Sequence, residues 1–585
     1  GAEGAVGVRS VHAVGPLDSL AERDRIAGVP LQRWDREEYA AASLDGLFGG
    51  CLERPEAFDA EAFGLSSAEA SLVDPTERLL LETSLAALRA ETAAEMPAGG
   101  GPRAGASVYV GASMLEYAWA VDRHMAGPST YTATSLHLSV TSGRISFVFG
   151  LRGEAVTIDT ACSSSLVGLH FAAGNLRPRT TLDALVSGAN LTVAAHWSLS
   201  CARAGMLTRD GRCKTLDAAA DGYVRSEACV TVHLGAGAGA GAKCSVRGTA
   251  VNQDGRSSSL TAPNGPSQIE VVSTAAPAAL AGYDAVQLHG TGTALGDPIE
   301  IGALLTLWGA GRRERPVVLR AVKSAAGHTE PAAGVVGAAV AVAELADACG
   351  AGILHLRALN GHVAAALDGA GARLAAPRTG AASAGRVCGI SSFAFQGTNA
   401  HVVFERPAAK GAAPRGRVEP SSSGLVRRAL WALPYPHAFV QTAAAPGPAG
   451  AEVHCRLSRA AVSFLGDHRV GGRALFPAAA FLDAALAAGV AALRGADRDF
   501  STAALSLGRA AIPRALELAV GGPDTLLACA VSVRGDVAVR SNARDDTHLR
   551  GEVSRTSTVD GAPRAARARQ AGAGPLPLPG GDGRA

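Results

Sequence analysis

A cysteine set among small residues directly after a β-branched run has the setting of a thiol nucleophile, and Val156–His170 (VTIDTACSSSLVGLH) places Cys162 there. Strand followed by helix puts the thiol at a helix start, where unpaired amides and the helix dipole favour a thiolate at neutral pH. Two histidines occupy related settings. His289 in residues 286–300 (VQLHGTGTALGDPIE) follows an apolar run and precedes a Gly/Thr loop whose small residues let a ligand approach the backbone. His328 in residues 322–337 (VKSAAGHTEPAAGVVG) lies in a similar loop after Lys323. A lone cysteine of this kind is more often a small buried residue, and a lone histidine a hydrogen-bonded structural one. Only the three segments together point to chemistry.

Positioning them requires strands that end in loops and helices that begin there. Residues 1 to about 408 alternate short β-branched runs (Ser107–Val110, Val156–Ile158, Val317–Leu319) with Ala/Leu-rich stretches (Glu77–Arg89, Gly334–Ala348). That alternation predicts an α/β layered fold. Residues 409–424 (AKGAAPRGRVEPSSSG) are polar and rich in Gly, Pro and Ser, a linker composition. From about 425 to 555 a second unit is expected, with a long helix across Ala474–Ala492 and alternating strands across Thr525–Val539. The last stretch, 556–585, has too few large apolar side chains to offset ordering entropy and is expected to be disordered.

At 585 residues the chain is long enough for two or more cores. Lys plus Arg (54) nearly balance Asp plus Glu (52), so no global field attracts nucleic acid or an anionic membrane, and substrates must be recognised locally. The cysteines form no CxxC pair and no His-Cys cluster, which argues against a metal site and for a reducing, cytoplasmic setting. No apolar run reaches the length of a membrane span, and residues 1–30 lack the pattern of a secretory leader.

The three segments together resemble the active-site blocks of β-ketoacyl synthases, those of type I polyketide synthases and related fatty-acid synthases. The resemblance runs from about Arg33 to Glu405 through RWD (33–35), FDAEAFGLSSAEA (58–70), DPTERLLLE (74–82), SGRISFVFGL (142–151), MLTRDGRCKTLDAAADGYVRSE (206–227), VNQDGRSSSLTAPNGPSQ (251–268) and ISSFAFQGTNAHVVFE (390–405). It implies a thiolase-like fold of two similar α/β halves, usually paired as a homodimer, although no repeat is visible in the sequence. It also implies a chemistry. Cys162 would take an acyl group from the phosphopantetheine arm of an acyl carrier protein, and His289 and His328 would stabilise the enolate left when a malonyl-type unit loses carbon dioxide. Oxyanion donors would be the amides of Cys162 and Phe395, each worth about 3 kcal/mol. Lys323 would support the histidines, and Thr291 and Thr293 would hold the pantetheine arm. No separate cofactor is implied.

Four features depart from the family pattern. Ala394 and Gln396 replace two loop glycines, narrowing the backbone's freedom. Gln287 stands where relatives often carry Glu, which would remove a charge near the site. The opening residues lack the family's usual first strand, so an edge strand is expected to be missing or altered. A catalytically impaired or scaffold module, dimerising and docking carrier proteins without condensing, is therefore the alternative.

Residues 464–483 (FLGDHRVGGRALFPAAAFLD) hold His468, Gly472 and Pro477 in the HxxxGxxxxP spacing of polyketide synthase dehydratases. In that family His468 would be a general base within a hotdog fold, an α+β unit. The acid partner comes from a second hotdog, and from 440 onward no Asp is followed four residues later by Gln or His. Only a half domain is expected. The chain also shows no GHSxG serine motif and no carrier-arm attachment motif, which predicts an acyltransferase acting in trans.

Overall fold

The computed structural model describes residues 5–14, 24–30, 33–34, 48–90, 105–124, 130–178, 181–237, 242–275, 282–308, 315–347, 349–369, 374–379, 381–382, 385–406, 419–420, 425–430, 442–443, 450–457, 468–494, 505–518, 525–532, 534–541 and 546–555. The expected tail at 556–585 lies outside them, as does the expected linker at 409–424 apart from Glu419–Pro420. The chain divides into two compact units, Gly1–Ala438 and Phe439–Ala585.

In the first unit the principal strands are β1 (Val6–Val14), β2 (Ser107–Gly111), β3 (Ala155–Ile158), β4 (Asp183–Asn190), β5 (Ala228–Ala236), β6 (Cys244–Gln253), β7 (Ala285–Gln287), β8 (Val317–Arg320), β9 (Leu374–Ala375), β10 (Val387–Phe393) and β11 (Thr398–Glu405). The principal helices are α1 (Pro75–Arg89), α2 (Leu138–Phe149), α3 (Ser164–Leu176), α4 (Gly265–Ala275), α5 (Gly296–Trp308) and α6 (Ala333–Asp347). One sheet carries all these strands in the order β9-β8-β7-β10-β11-β6-β1-β5-β4-β2-β3.

That order hides a repeat. Numbered within each half, β1–β5 lie third, second, fourth, fifth, first, and the strands β6, β7, β8, β10 and β11 follow the same sequence, with β9 added outside β8. The directions match too. The second strand of each half is parallel to the third and fourth, while the fifth is antiparallel to the fourth and first. The halves join where β1 and β6 pair antiparallel at Val6–Val246. Two similar α/β halves, expected from resemblance alone, are thus explicit in the topology.

Side-chain alternation along the strands builds the layers. In the first half Leu185 joins the core under α1 while its neighbour Val186 joins a central core with α3 and α6. In the second half Val402 faces that same central core and Val403 faces α4 and α5. Helix α1 begins as its sequence prescribes: the Asp74 carboxylate accepts the Thr76 N–H (2.7 Å) and Pro75 occupies the first turn, where its missing N–H costs nothing.

Two expectations need correction. β1 is an interior strand between β5 and β6, so no edge is missing; its small and β-branched residues pair on both sides without matching the family's usual opening. The boundary near 408 also shifts. Glu419–Pro420 pair with His12–Ala13, Arg428–Ala429 pair with Ala57–Phe58, and Arg78 donates to the Leu430 carbonyl. Leu425 and Leu430 pack on the α1 core, so these residues belong to the first unit and not to a second one starting at 425.

The second unit has strands β12 (Thr442–Ala443), β13 (Gly450–Leu457), β14 (Leu505–Ala511), β15 (Thr525–Ser532), β16 (Asp536–Ser541) and β17 (Asp546–Arg555) around helix α7 (Ala478–Arg494). The antiparallel order is β12-β13-β15-β16-β17-β14. Phe481, Ala484, Ala485 and Ala488 of α7 bury against Leu527, Val539 and Val553 of the sheet. One helix cradled by one sheet is a single hotdog-like arrangement.

Candidate active site

Cys162, His289 and His328 come from loops after parallel strands: Cys162 after β3, His328 after β8, the corresponding third strand of the second half, and His289 after β7. Ligand sites of open α/β sheets lie in this position, beyond the carboxyl ends of strands. All three line one cavity of about 580 Å³.

Cys162 sits on the short turn Ala161–Ser163 that leads into α3. Ala161 has φ +52°, a left-handed conformation costing a non-glycine residue on the order of 1–3 kcal/mol. The turn is held by Ala161 N–H donating to Asp159 Oδ1 (3.0 Å), Thr160 N–H to Ser164 Oγ (2.9 Å) and Ser392 Oγ–H to the Cys162 carbonyl (2.6 Å). Three glycines seat the helix behind it. A Cβ on Gly111 would lie 2.5 Å from the Ser165 nitrogen, one on Gly188 2.9 Å from Ser165 Cβ, and one on Gly334 2.8 Å from the Leu166 nitrogen.

The His328 Nε2 stands 3.0 Å from the Cys162 sulfur. Its Nδ1 accepts the Glu330 N–H (3.2 Å), which leaves the proton on Nε2, facing the sulfur. His289 is set the same way, with Nδ1 accepting the Phe393 N–H (3.2 Å) and Nε2 carrying the proton. The two rings are perpendicular at 5.7 Å between centroids. Burial and the neighbouring Lys323 charge hold both imidazoles well below the usual histidine range, so they are neutral donors.

The amides of Cys162 and Phe395 also donate towards the sulfur, and Lys323 favours its ionised form. Burial outweighs them. It pushes the Cys162 thiol up to about 12, with Glu330 adding to the rise. The thiolate expected from a helix start is therefore not the resting form; an apolar wall costs the anion more than three donors and a cation return.

Lys323 is 4% exposed, and burial lowers its pKa against the pull of Glu300 and Asp297. Those two carboxylates, on the first turns of α5, grip the loop around His289. Glu300 accepts the N–H groups of His289 (2.8 Å) and Gly290 (2.9 Å), while Asp297 accepts those of Gly292 (3.2 Å) and Leu216 (2.7 Å). Thr291 and Thr293 line the cavity with hydroxyls 3.4 Å apart, and Phe395 is 42% exposed at its wall.

Sequence reasoning missed a buried network beside His328. Arg225 donates through Nε and Nη2 to Glu330 (2.9 and 2.8 Å), through Nη2 to Glu116 (2.8 Å) and through Nη1 to Ser198 (2.7 Å). Glu330 has φ +47°, so the ion pair holds a strained residue whose amide sets the His328 tautomer. Only VRSE (224–227) and GHTEP (327–331) carry a hint of it, and residues this far apart in the chain offer no spacing to read.

Gln287 does not remove a charge from the site. Its Nε2 donates to Glu344 of α6 (3.2 Å) in the core, outside the cavity wall. Gln396 pins its own loop, accepting the Thr398 N–H (3.0 Å) and donating to Thr398 Oγ1 (3.2 Å), while its carbonyl accepts from Gln253 (3.0 Å). His468 belongs to the second unit, where it is exposed and its carbonyl accepts the Leu475 N–H (3.0 Å). Among the described residues no group of three or more His, Cys, Asp or Glu is arranged to hold a metal ion. None of the described helices is long and apolar enough to cross a membrane.

The sequence matches the family descriptions Beta-ketoacyl synthase, N-terminal domain, over residues 18–237 and Beta-ketoacyl synthase, C-terminal domain, over residues 243–357. An oxazolomycin ketosynthase domain from Streptomyces albus JA3453 superposes with a TM-score of 0.63 at 30% identity, covering 69% of this chain and 76% of that one. The chain belongs to the β-ketoacyl synthase family. A ketosynthase from module 6 of the bacillaene synthase of Bacillus subtilis 168 is similar at 26% identity and a TM-score of 0.59, over 69% of this chain and 72% of that one. Residues 437–538 match the Polyketide synthase dehydratase domain. This ketosynthase is also 42% identical over 405 residues to polyketide synthase GfsA of Streptomyces halstedii, and 38% identical over 433 residues to a phenolphthiocerol/phthiocerol polyketide synthase of Mycobacterium tuberculosis. Those alignments take in 67% and 69% of the chain but 5% and 19% of the relatives' own lengths, so it spans at most about a fifth of them.

Proposed function

We propose that the first unit catalyses decarboxylative Claisen condensation of a Cys162-bound acyl group with a malonyl-type extender, both delivered on the phosphopantetheine arms of acyl carrier proteins. The observation that carries this reading is the pairing of an acylatable sulfur with two neutral imidazoles whose Nδ1 atoms are both occupied. Donors fixed in advance and aimed at a developing oxyanion are the main source of such catalysis.

In the first half-reaction the Cys162 sulfur attacks the acyl thioester, its proton passes to the departing arm thiol, and the amides of Cys162 and Phe395 hold the oxyanion. In the second, the carboxylate carbon of the extender leaves as carbon dioxide and its bonding electrons form an enolate. The Nε2–H groups of His289 and His328 donate to that enolate oxygen. Its carbon then attacks the acyl carbonyl, and the C–S bond to Cys162 breaks to release the β-ketoacyl product on the carrier arm. Lys323 steadies the charge balance, and Thr291 and Thr293 meet the arm.

Domain roles follow: residues 1–438 condense, and 439–555 form the N-terminal half of a dehydratase in which His468 serves as base once another segment supplies the acid. An acyltransferase in trans would load the extender. Homodimerisation is supported by the terminal strand β3, whose Val156 is 40% exposed, and by Phe147 at 86% exposed on α2. The free thiols among the described cysteines fit a reducing cytoplasm.

The test is intact-mass measurement after incubation with an acyl-carrier thioester. One acyl adduct, absent in Cys162→Ala, followed by β-ketoacyl product on adding malonyl-carrier, supports condensation. No adduct on the native chain would favour the scaffold alternative.

A further inference from the structure

The loop that carries Lys323 and His328 is gripped from outside the cavity by groups with no part in the chemistry above. Arg25 N–H donates to the Ala325 carbonyl (3.1 Å), and Leu354 N–H donates to Ser324 Oγ (3.0 Å). Between these two grips the Ile26 side chain fills the space over Gly327, where a Cβ would lie 2.9 Å from Ile26 Cδ1. Ile26 also packs with Cys213, Val224 and Tyr223, and the Tyr223 ring meets the His328 ring edge to face at 5.0 Å.

One carboxylate ties the two grips together. Asp24 Oδ1 accepts the Ile26 N–H (3.0 Å), which fixes the turn that presents Arg25 and Ile26 to the loop. Its Oδ2 pairs with Arg212 Nε (2.5 Å) and faces Nε2 of His355, the residue after Leu354, at 3.6 Å. Arg212 in turn donates through Nη2 to the Ile26 carbonyl (3.4 Å) and through Nη1 to the Gly211 carbonyl (3.1 Å). His355 holds φ +63°, a left-handed conformation that a residue with a Cβ keeps only where its surroundings impose it. The Asp24, Arg212 and His355 side chains are 28%, 26% and 22% exposed, and none of them lines the cavity.

The His289 loop is held by other means, the carboxylates of Glu300 and Asp297 on α5. Two imidazoles that serve one oxyanion are thus positioned by separate devices. We infer that Asp24, paired with Arg212 and set against His355, is a positioning residue for His328: it fixes the loop from the solvent side and so keeps the His328 Nε2–H aimed at the enolate oxygen. This role rests on the condensing reading of the site. A misplaced donor costs rate without weakening substrate binding, because it is matched to charge that forms only in the transition state.

The variants are Asp24→Ala and Asp24→Asn in the full chain, alone and combined with His289→Ala or His328→Ala, and the probe is malonyl-pantetheine, read by carbon dioxide release. Asp24→Ala should lower kcat for decarboxylation roughly tenfold with KM within about twofold of native. Asp24→Asn keeps an acceptor for the Ile26 N–H and for Arg212 and should recover part of that loss. The loss should persist in His289→Ala and shrink below about twofold in His328→Ala, the non-additivity of two residues that act through one donor. Amide hydrogen exchange at 323–328 should rise in Asp24→Ala while exchange at 289–293 stays native, and Arg212→Gln, which breaks the same pair from its other side, should reproduce both readouts. Equal loss in both histidine backgrounds, a loss confined to KM, or unchanged exchange at 323–328 would overturn the inference. Should the native chain release no carbon dioxide while exchange at 323–328 still rises in the variants, the clamp on the loop stands and the condensing role falls.

Discussion

Alkylation of Cys162 by iodoacetamide as a function of pH tests whether burial or the helix start governs the thiol. The structure puts the thiol at about 12 against an ordinary 9.0. Three units correspond to roughly a thousandfold less thiolate at any neutral pH, leaving about one molecule in 10⁵ ionised at pH 7. Only the thiolate reacts, so the rate should climb about tenfold per pH unit from 6 to 9 with no plateau. Intact-mass spectrometry against Cys162→Ala isolates this thiol from the other cysteines. Two variants test the cause: Lys323→Met removes a cation that favours the anion and should slow alkylation, and Glu330→Gln removes an anion that disfavours it and should speed alkylation. A plateau below pH 8 would refute the burial argument and restore the resting thiolate expected from local sequence.

His289→Ala and His328→Ala should each lower decarboxylation of a malonyl thioester by about 10²–10³, the loss on deleting one oxyanion donor, as read by carbon dioxide release. Gly111→Ala should displace α3, because its Cβ would meet the Ser165 backbone at 2.5 Å; the expected result is a lower thermal midpoint together with slower acylation of Cys162. Burial raises Glu344 from 4.5 to about 7. Its folded-state proton therefore stabilises fully below pH 4.5, and that contribution is lost as pH rises through 7. Thermal melts from pH 5 to 8 should decline with pH, and Glu344→Gln should flatten part of that decline. A β-hydroxyacyl thioester should remain undehydrated with this chain alone, as followed by mass loss of water, because His468 is exposed and among the described residues no carboxyl group pairs with it.

Much of the site was readable because its chemistry is written in short segments. DTACSSS, HGTGT and VKSAAGH each follow closely on the end of a strand, β3, β7 and β8, and those strands form where the β-branched and apolar runs predict them. The FAFQGTN loop was legible as a departure, yet not that Gln396 would bind Thr398 from both sides. The buried roles of Arg225, Glu116 and Glu300 were not legible for one reason: a charged or polar residue looks the same in a sequence whether it is solvated or buried.

By itself, then, the order of residues determined the elements, the α/β class and three residues that the fold brings to one cavity, since these depend on propensity, periodicity and residue type over a few positions. Tertiary structure alone decided the twofold repetition of strand order, which divergent side chains conceal. It also decided the 3.0 Å approach of groups 166 residues apart, the tautomers of two histidines and the protonation of the thiol. Hydrogen-bond direction and desolvation act through space, and no local pattern records which distant residues will supply them.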